Sequence, residues 1–491
     1  MKKIYFPFLL SIILFSVHNL NAQDLKKLTF DEVISLAEEQ SPNALIAKHR
    51  FRASYWLYRT FVAQYRPSLI LRGTTPDYTT AYTRVFRNDQ WEYVPTNMLQ
   101  NFGTLALSQN IGLTGGSIAL ASDLTLQNDF VSNNDLFISA PIRVLLEQPI
   151  LQYNALKWQK KTEPLKYEAA KKTFLSNIES VHQQAVMNFF QLATAQINKQ
   201  IAEMNYSNAD TLWRIAKGRY DLGTIAEDEL LQMQLSWLNA ETARKEAEMN
   251  LRDREIRLRS FLGFNENVRL ELTLPNSVPN LQVDVQEVLD LARANNPEML
   301  TQQLTLLTAQ SNVAQAKSER GLNADLTASF GLQGRDKDIN VAYNTFSRSQ
   351  GIRVGFRMPI LDWGLGRGRY KMAQSSLELA QVQSKQALTD FEQNLLLDVE
   401  QFNLQANQVA IAAKSDTVAM KMYEVTKQRF LIGKIAVLEL NNADTKKDQN
   451  KRAYVQSLMN YWNYFYNIRN LALYDFINRR PLETDFERLL E

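Results

Sequence analysis

The chain contains two copies of one sequence pattern, and this internal duplication limits its fold more than any other feature. Three pairs of segments match: residues 29–42 with 284–297 at an offset of 255, 149–151 with 359–361 at an offset of 210, and 219–225 with 429–435 at the same offset of 210. Because the matches occur in the same order, both halves are predicted to build the same unit. The change in offset means that the first copy has about 45 extra residues before Pro149.

Both halves end in a long stretch with few helix breakers. The 491 residues include only 17 glycines and 13 prolines, which is about half the usual share of each. No proline interrupts residues 165–274, and apolar residues recur there at spacings of three and four, as is typical of packed helices. Gly223 and Gly433 interrupt two such runs, so each run is predicted to fold back into an antiparallel helical pair.

Between the helical stretches, apolar and polar residues alternate with a period of two, which predicts β-strands. The alternating segments are residues 117–127, 138–147, 324–333 and 351–358. In the second segment, one face is expected to carry Ile138, Ile142, Val144 and Leu146. One apolar and one polar face fit a transmembrane β-barrel with a wet lumen. They also fit a soluble sandwich with one solvated face, and the alternation alone leaves both open.

Composition excludes several classes of function. The chain has no cysteine, which excludes disulfides, thiol nucleophiles and cysteine-based zinc sites. Its 55 Lys and Arg residues nearly balance 52 Asp and Glu residues, so no excess basic charge indicates nucleic-acid binding. A mean hydropathy of −0.31 excludes a polytopic helical membrane protein.

Residues 1–22 have the layout of a secretory signal peptide. Lys2 and Lys3 precede a largely apolar run, and the segment ends at Ala22. The apolar run has roughly 14 residues, fewer than the roughly 20 that a membrane-spanning helix needs. We therefore predict export, with cleavage after Ala22.

No catalytic, cofactor or metal site is predicted. His49 and His182 each lie in a helical pattern without a second histidine nearby, and both are expected at polar helix surfaces. Residues 364–368 contain three glycines after a strand pattern, but they lack the spacing of a nucleotide-binding loop and are interpreted as a crossover into a helix. Acidic residues on the long helices are expected to be solvated or paired with Lys and Arg one turn away.

Beyond the repeat itself, short motifs recur where each β-region ends and where each helical pair turns. Residues 148–151 and 358–361 leave the strands through Pro-Ile-Leu, and an Arg-aromatic pair precedes both Gly223 and Gly433. In these features, over nearly the whole mature length, the chain resembles the TolC family of outer-membrane channel proteins. Gln148-Pro149 followed by residues 156–158 and 163–165 looks most like its Bacteroidetes branch.

The resemblance implies a mainly α fold with a membrane β-barrel, built from a duplicated unit of helix, β-hairpin and long helical pair. Three protomers would complete one outer-membrane β-barrel, continued by a periplasmic α-helical barrel. The predicted segments are 1–22 signal peptide, 23–66 first-repeat helix, 67–149 first-repeat strands with an extended insert, 150–274 first-repeat helical pair, 275–321 linker and second-repeat helix, 322–359 second-repeat β-hairpin, 360–477 second-repeat helical pair, and 478–491 C-terminal tail. The extra residues of the first repeat would form either a further hairpin in the wall or a surface loop.

The function implied by the resemblance is that of a passive, non-enzymatic exit duct for efflux or type I secretion. It would lie in the outer membrane of a Gram-negative bacterium, in contact with lipid, as a homotrimer with a large periplasmic part. Its partners would be a periplasmic adaptor (a membrane fusion protein) and an inner-membrane RND or ABC pump, with no cofactor and no nucleic acid. Two alternatives remain: a secreted coiled-coil structural or adhesive protein without a pore, and a periplasmic enzyme whose site is not evident.

The resemblance also assigns residues to a gate and to a docking tip. In the family, acidic residues after the second turn ring the periplasmic entrance, and an aromatic residue helps to hold it shut. Aligned on that motif, the gate residues are Glu439, Asn442 in place of a second acid, Phe430 as the aromatic, and Glu229 as the first-repeat equivalent of Glu439. The adaptor would contact Leu222, Gly223, Thr224, Ile432, Gly433 and Lys434. The alternative is that the acids are solvated helix charges and the glycines are helix caps.

For a barrel, the alternation also divides the strand residues between lipid and lumen. The predicted lipid contacts are Ile118, Leu120, Leu124, Phe330, Ile352 and Val354. The predicted lumen side chains are Asp123, Thr327 and Arg353.

Overall fold

The computed structural model describes residues 25–87, 89–264, 268–275, 277–432, 434–435 and 437–490. The predicted signal peptide, residues 1–22, and Gly433 lie outside the described residues. No α-helix of the described chain combines the length and the apolar character needed to cross a membrane.

The first repeat runs from a short strand through two helices and four strands to a long helical pair. Its elements are β1 (Leu25–Thr29), α1 (Phe30–Gln40), α2 (Pro42–Ala63), β2 (Ser68–Arg87), β3 (Gln90–Ile111), β4 (Gly116–Asp129), β5 (Asn134–Ile150), α3 (Ala155–Asp221) and α4 (Glu227–Leu262).

The second repeat has the same order of elements, except that it has two fewer long strands and a short helix between the two that remain. Its elements are β6 (Arg269–Thr273), α5 (Val285–Asn295), α6 (Pro297–Glu319), β7 (Asn323–Asp336), α7 (Ile339–Asn344), β8 (Ser347–Arg357), α8 (Leu365–Leu431) and α9 (Val437–Ala472), followed by β9 (Tyr474–Asp475), β10 (Arg480–Pro481) and a 3-10 turn (Arg488–Leu490). Equivalent helices of the two repeats match in length: α3 and α8 have 67 residues each, and α4 and α9 have 36 each. The predicted duplicated unit of helix, strands and long helical pair is therefore confirmed.

Equivalent residues begin the first helix of each repeat. The side chain of Thr29 accepts a hydrogen bond from the amide of Glu32, whose carboxylate accepts one from the amide of Thr29 (2.7 Å). At the offset of 255, the carboxylate of Asp284 accepts a hydrogen bond from the amide of Glu287 (3.0 Å). Side-chain caps of this kind satisfy amides that the first helical turn leaves free, which explains why this part of the repeat pattern recurs.

The helical segment predicted over residues 23–66 contains more elements than one helix. Its first residues form β1, which pairs in parallel with β6 at the start of the second repeat. The remainder breaks between α1 and α2 at Ser41, because a residue before proline disfavours helical backbone. The Ser41 hydroxyl then accepts a hydrogen bond from the amide of Ala44, which caps α2.

Two further segments differ from their predicted content. The segment 322–359, predicted as a simple β-hairpin, contains α7 between its two strands. The C-terminal segment 478–491 includes β10, which pairs antiparallel with β9. A helix of six residues and a strand of two are too short to leave a periodic signal in the sequence.

The long strands form one antiparallel sheet in the order β2-β3-β4-β5-β7-β8. The first repeat contributes four of these strands and the second contributes two. The extra residues of the first repeat therefore lie in strands of the same sheet.

The described chain divides into two compact units. One contains the residues up to 49 together with 175–293 and 394–484. Its core lies between α1, α3, α8 and α9, and its largest fully buried side chains include Phe189, Phe402 and Tyr461. The ring of Phe30 on α1 lies 5.3 Å from that of Phe189 and 4.7 Å from that of Trp462, so α1 is held by aromatic packing against both repeats.

The other unit contains residues 50–174, 294–393 and 485–490 of the described chain. It holds the six-stranded sheet. Phe51 on α2 is 2% exposed and packs against the rings of Tyr167, Phe174 and Phe486, at centroid distances of 6.3, 5.7 and 5.1 Å. This aromatic cluster ties the C-terminal residues to α2 and α3 within the unit.

Candidate functional site

The strand register puts apolar side chains of all six strands on one face of the sheet. Directly paired residues lie on the same face, and the pairs Leu69–Leu107, Leu107–Leu120, Leu120–Val144 and Val144–Phe330 continue across five strands. We call this side the apolar face, with members Leu69, Leu71, Leu105, Leu107, Ile118, Leu120, Leu124, Val144, Phe330, Ile352 and Val354.

The apolar face is open to its surroundings in the single chain. Ile352 is 81% exposed, Leu71 is 78% exposed and Phe330 is 57% exposed. An exposed apolar surface that extends over six strands is far larger than soluble monomers usually present. The face therefore requires an apolar partner, and all six predicted lipid contacts belong to it.

The opposite side of the sheet, which we call the polar face, carries charged and hydroxyl side chains. Its members include Arg72, Thr104, Asp123, Arg143, Glu147, Thr327 and Arg353. Asp123 accepts a hydrogen bond from the hydroxyl of Thr104 (2.7 Å) and forms an ion pair with Arg143 (2.6 Å). The predicted lumen residues Asp123, Thr327 and Arg353 all lie on this face, which can be wetted by water.

One prediction about the faces is wrong. Ile138 was expected to share the face of Val144, but it pairs with Thr125 and therefore lies on the polar face. The cause is a bulge: between Ser139 and Arg143, β5 has one residue more than β7. An extra residue reverses the alternation, so that residues before the bulge, such as Ile138, face the opposite way from the one expected by counting back from Val144. Pro141 lies in this bulge, where its lack of an amide hydrogen is tolerated.

The same bulge receives α7. Beyond it, Ser139 lies on the side of the apolar face, and its buried hydroxyl donates a hydrogen bond to the carbonyl of Ala342 on α7. Its neighbour in β7, Gly334, approaches α7 so closely that a Cβ atom there would overlap the carbonyl oxygen of Ala342. Glycine is thus required at this position for α7 to pack on the sheet.

The turns of the two long helical pairs have equivalent hydrogen bonds. In the first turn, the amide of Leu222 donates to the carbonyl of Gly218 (3.2 Å), and that of Thr224 donates to Arg219 (2.9 Å). In the second turn, 210 residues later, the amide of Ile432 donates to Gln428 (3.3 Å), and that of Lys434 donates to Arg429 (3.0 Å). These bonds satisfy carbonyls at the ends of α3 and α8.

Gly223 is needed in the first turn for its backbone conformation. Its φ angle is 71°, and no other atom lies near the position of an added Cβ, so the requirement is conformational rather than steric. Of the other predicted tip residues, Leu222 is 80% exposed and Ile432 is 64% exposed, while Thr224 and Lys434 are also exposed. Exposed leucine and isoleucine at two equivalent turns form a surface that could contact another protein.

The structure brings two of the four predicted gate residues together. Phe430 and Glu229 line one cavity of about 340 Å³, which also borders Ile225 and Ile435 of the two turns. Phe430 is half-buried and packs against a core formed by Tyr423, Leu440 and Ala443. The aromatic residue is therefore held within the protomer rather than projecting freely.

The other two predicted gate residues lie on the surface of α9. Glu439 and Asn442 are both exposed, whereas their neighbours Leu440 and Ala443 are buried. The start of α9 thus packs one face against the rest of the protomer and leaves the opposite face exposed. The carboxylate of Glu439 lies on this exposed face, which we call the free face.

A charge cluster beside the predicted gate includes a pair of the kind expected from the sequence, an acid and a lysine one turn apart, but its burial was not predicted. Lys447 on α9 is 3% exposed, and its Nζ lies 2.5 Å from Asp444 and 3.3 Å from Asp448. Burial alone would lower the pKa of Lys447, but the hydrogen bond with Asp444 and the charges of both aspartates raise it above its ordinary value. The ammonium group also lies 4.1 Å from the ring of Tyr423, so the cluster fixes α9 against α8.

A second buried charge cluster involves a histidine that was expected at the surface. His49 is exposed, as expected, but His182 is 5% exposed. Its Nε2 lies 3.1 Å from Glu38, and its Nδ1 lies 3.3 Å from Glu179. Burial alone would lower the pKa of His182, but the two carboxylates raise it to about 8.

Comparison with known proteins connects this geometry to one family. The model of the family described as "Outer membrane efflux protein" matches residues 118–264 and 288–471. The chain is 27% identical over 255 residues to an uncharacterized protein of Haemophilus influenzae, and 24% identical over 242 residues to the toxin and drug export protein A of Aggregatibacter actinomycetemcomitans. Each match covers 48% of this chain, and the chain spans about half the length of these relatives.

Solved structures with the same fold match nearly the whole chain. The Campylobacter jejuni CmeC outer membrane channel has a TM-score of 0.64 at 15% identity, covering 94% of this chain and 88% of that one. The outer membrane protein VceC from Vibrio cholerae has a TM-score of 0.62 at 12% identity, covering 92% and 97%. At these identities the likeness establishes the fold.

Proposed function

Since the chain belongs to the outer membrane efflux protein family, we propose that it is a passive exit duct for efflux or type I secretion across the outer membrane. The family consists of outer-membrane channels, which are not enzymes. Energy for export would therefore come from a partner pump. Drugs, peptides and proteins would all fit a polar lumen as cargo.

The observation that carries this proposal is the pair of faces on the six-stranded sheet. Apart from the part beside Ser139 and Gly334, where α7 packs, the apolar face is uncovered in the described chain, and lipid tails supply the apolar contact that it needs. The polar face, with Asp123, Arg143 and Arg353, would then line a water-filled passage. Three copies of the chain would share one barrel.

The proposed partners are a periplasmic adaptor and an inner-membrane pump of the RND or ABC class. What supports an adaptor is the presence of two equivalent turns with exposed apolar side chains, Leu222 and Ile432. The proposed contact surface comprises Leu222, Gly223, Thr224, Ile432, Gly433 and Lys434. Both helical pairs would point into the periplasm, which makes the periplasmic part large.

The proposed gate is centred on Glu439. In a trimer, one such carboxylate from each copy would surround a single opening and attract cations. Asn442 lies one turn further along α9, on the same free face. Phe430 and Glu229 would support the gate from the cavity that they share.

Two substitutions of neighbouring strand residues test the lipid contact. Phe330→Arg introduces a charge on the apolar face, at a cost of about 2–4 kcal/mol at the bilayer midplane, whereas Ser329→Arg introduces the same charge on the polar face. We expect Phe330→Arg to reduce the yield of a heat-modifiable trimer in the outer-membrane fraction, and Ser329→Arg to leave it near wild type. Equal yields would contradict the assignment of the faces.

Cell fractionation distinguishes the proposed duct from the alternative of a secreted protein without a pore. A duct is recovered as a trimer in the outer membrane and conducts ions in planar bilayers. Recovery in the soluble periplasmic or extracellular fraction, without conductance, would favour a secreted coiled-coil structural or adhesive protein.

A further inference from the structure

We propose that β2 of one copy pairs with β8 of the next, so that three copies close a barrel of eighteen strands; this inference rests on the trimeric duct proposed above. Each copy supplies the six strands of its sheet. One side of each seam would then be β2, which forms with β3 a hairpin that the second repeat lacks.

The two edges of the sheet need partners. In the described chain the sheet order ends at β2 on one side and at β8 on the other, so each leaves one row of backbone amides and carbonyls without a strand beside it. Such a row cannot remain unpaired in the hydrocarbon core of a membrane, and a long open edge invites pairing with another chain. With 20 residues, β2 is a long edge.

The faces of the two edge strands match when one is set beside the other. Leu69 and Leu71 of β2 lie on the apolar face, as do Ile352 and Val354 of β8. Pairing β2 with β8 therefore extends the apolar face without a break. It also extends the polar face, where Arg72 and Arg353 carry charge in the two strands.

The strand directions also permit closure. Every neighbouring pair in the sheet is antiparallel, so with six strands the first and the last run in opposite directions. The seam between β8 of one copy and β2 of the next is then antiparallel too. Every pair of neighbouring strands in the closed barrel is therefore antiparallel, as in bacterial barrels with an even number of strands.

The consequence is a wide opening through the membrane. If the first repeat contributed two strands, as the second does, three copies would give twelve. Barrel diameter grows roughly linearly with strand number, so eighteen strands give a diameter about 1.5 times that of twelve, in the range where the lumen holds an aqueous channel. The additional hairpin would thus widen the part of the duct that crosses the membrane, so that bulkier cargo can pass.

Pairs of introduced cysteines test where the seam lies, since the chain has none of its own. One cysteine replaces a residue of β2 on the apolar face, Leu69, Leu71 or Tyr78, and the other replaces a residue of β8 on the same face, Gln350, Ile352, Val354 or Phe356. Intact outer membranes are oxidised and analysed by denaturing electrophoresis. We expect at least one combination to give covalent dimers and trimers in more than half of the chains.

Two matched sets serve as controls. Leu71→Cys with Arg353→Cys joins opposite faces and should give no covalent product. The alternative seam is tested with Ile118→Cys, Leu120→Cys or Leu124→Cys in β4, each combined with the same positions of β8. These would crosslink if the β2–β3 hairpin lay outside the wall and β4 formed the edge of a twelve-stranded barrel.

The outcomes distinguish this inference from the proposed function. Crosslinks from β2 alone support the eighteen-stranded barrel, and crosslinks from β4 to β8 overturn it while leaving the duct intact. If neither set crosslinks, the native mass of the purified cysteine-free protein decides. A trimer then overturns only the seam, and a monomer overturns the trimeric duct as well.

Discussion

The guanidinium group of Arg469 makes two hydrogen bonds to the carboxylate of Glu179, with nitrogen–oxygen distances of 2.9 and 3.1 Å. The Glu179 side chain is 3% exposed and that of Arg469 is 15% exposed. The pair joins α3 of the first repeat to α9 of the second, and Arg469 also lies 3.6 Å from Asp475. Bidentate geometry is what makes a buried ion pair tolerable, because it offsets the desolvation of both charges.

The first prediction concerns the loss of one partner. Arg469→Met removes the bidentate partner of the buried carboxylate of Glu179 and leaves it only the His182 ring at 3.3 Å, so we expect the free energy of unfolding to fall by about 3–5 kcal/mol. Urea unfolding of the purified protein, followed by its helical circular dichroism, measures the loss. The double variant Glu179→Leu with Arg469→Met should be destabilised by less than the sum of the single variants. Additive effects would mean that the pair contributes no coupling.

The second prediction concerns pH. The folded pKa of His182 is about 8, above its ordinary 6.5. The resulting stabilisation is complete below pH 6.5, where folded and unfolded chains both hold the proton, and it is lost as the pH rises through 8. A shift of this size corresponds to about 2 kcal/mol per copy. Wild type should therefore lose about 2 kcal/mol more stability than His182→Gln between pH 6 and pH 9.

The surroundings of His182 identify the control for this prediction. Glu38 of α1 and Glu179 of α3 face its ring, and Tyr466 of α9 lies 5.3 Å away. Burial raises the pKa of Tyr466 above its ordinary value, so it does not titrate in this window. The exposed His49→Gln should keep the wild-type pH profile. A His182→Gln profile parallel to wild type would contradict the assignment.

These buried charges could not have been predicted from the sequence. Glu38, Glu179 and Arg469 belong to three elements that are far apart in the chain, so no local pattern relates them. A lone histidine or lysine in a helical pattern is more often at the surface. Only the packing of α1, α3 and α9 makes His182 and Arg469 interior residues.

The parts that the sequence did predict are those set by local rules. The turns at Gly223 and Gly433 follow from a break in helical periodicity, and the described residues around them have equivalent hydrogen bonds. Strand faces follow from alternation wherever the register is regular. They fail at Ile138, where a bulge at Pro141 changes the face, and the sequence does not reveal which residue a bulge adds.

The third prediction concerns the two turns as a docking surface. Thr224→Cys and Lys434→Cys introduce single thiols at exposed positions in a chain without native cysteine. With the pump active in cells, both should crosslink to the periplasmic adaptor, because equivalent turns offer equivalent contacts. Met249→Cys, on α4 and 74% exposed, is the matched control and should not crosslink. Equal adaptor crosslinking from Met249→Cys, or none from the two turns, would contradict docking at the turns.

The fourth prediction concerns the gate. If three copies of Glu439 surround one opening, their field concentrates cations there, most strongly at low ionic strength. In planar bilayers, Glu439→Gln should lower the selectivity for cations and weaken block by multivalent cations. Asn442→Asp, which adds a carboxylate one turn along the same exposed face of α9, should strengthen that block. Glu424→Gln removes an exposed charge from α8 and should leave both properties near wild type, since it lies outside the assigned gate. If Glu439→Gln and Asn442→Asp both behave like wild type, the constriction lies elsewhere in the channel.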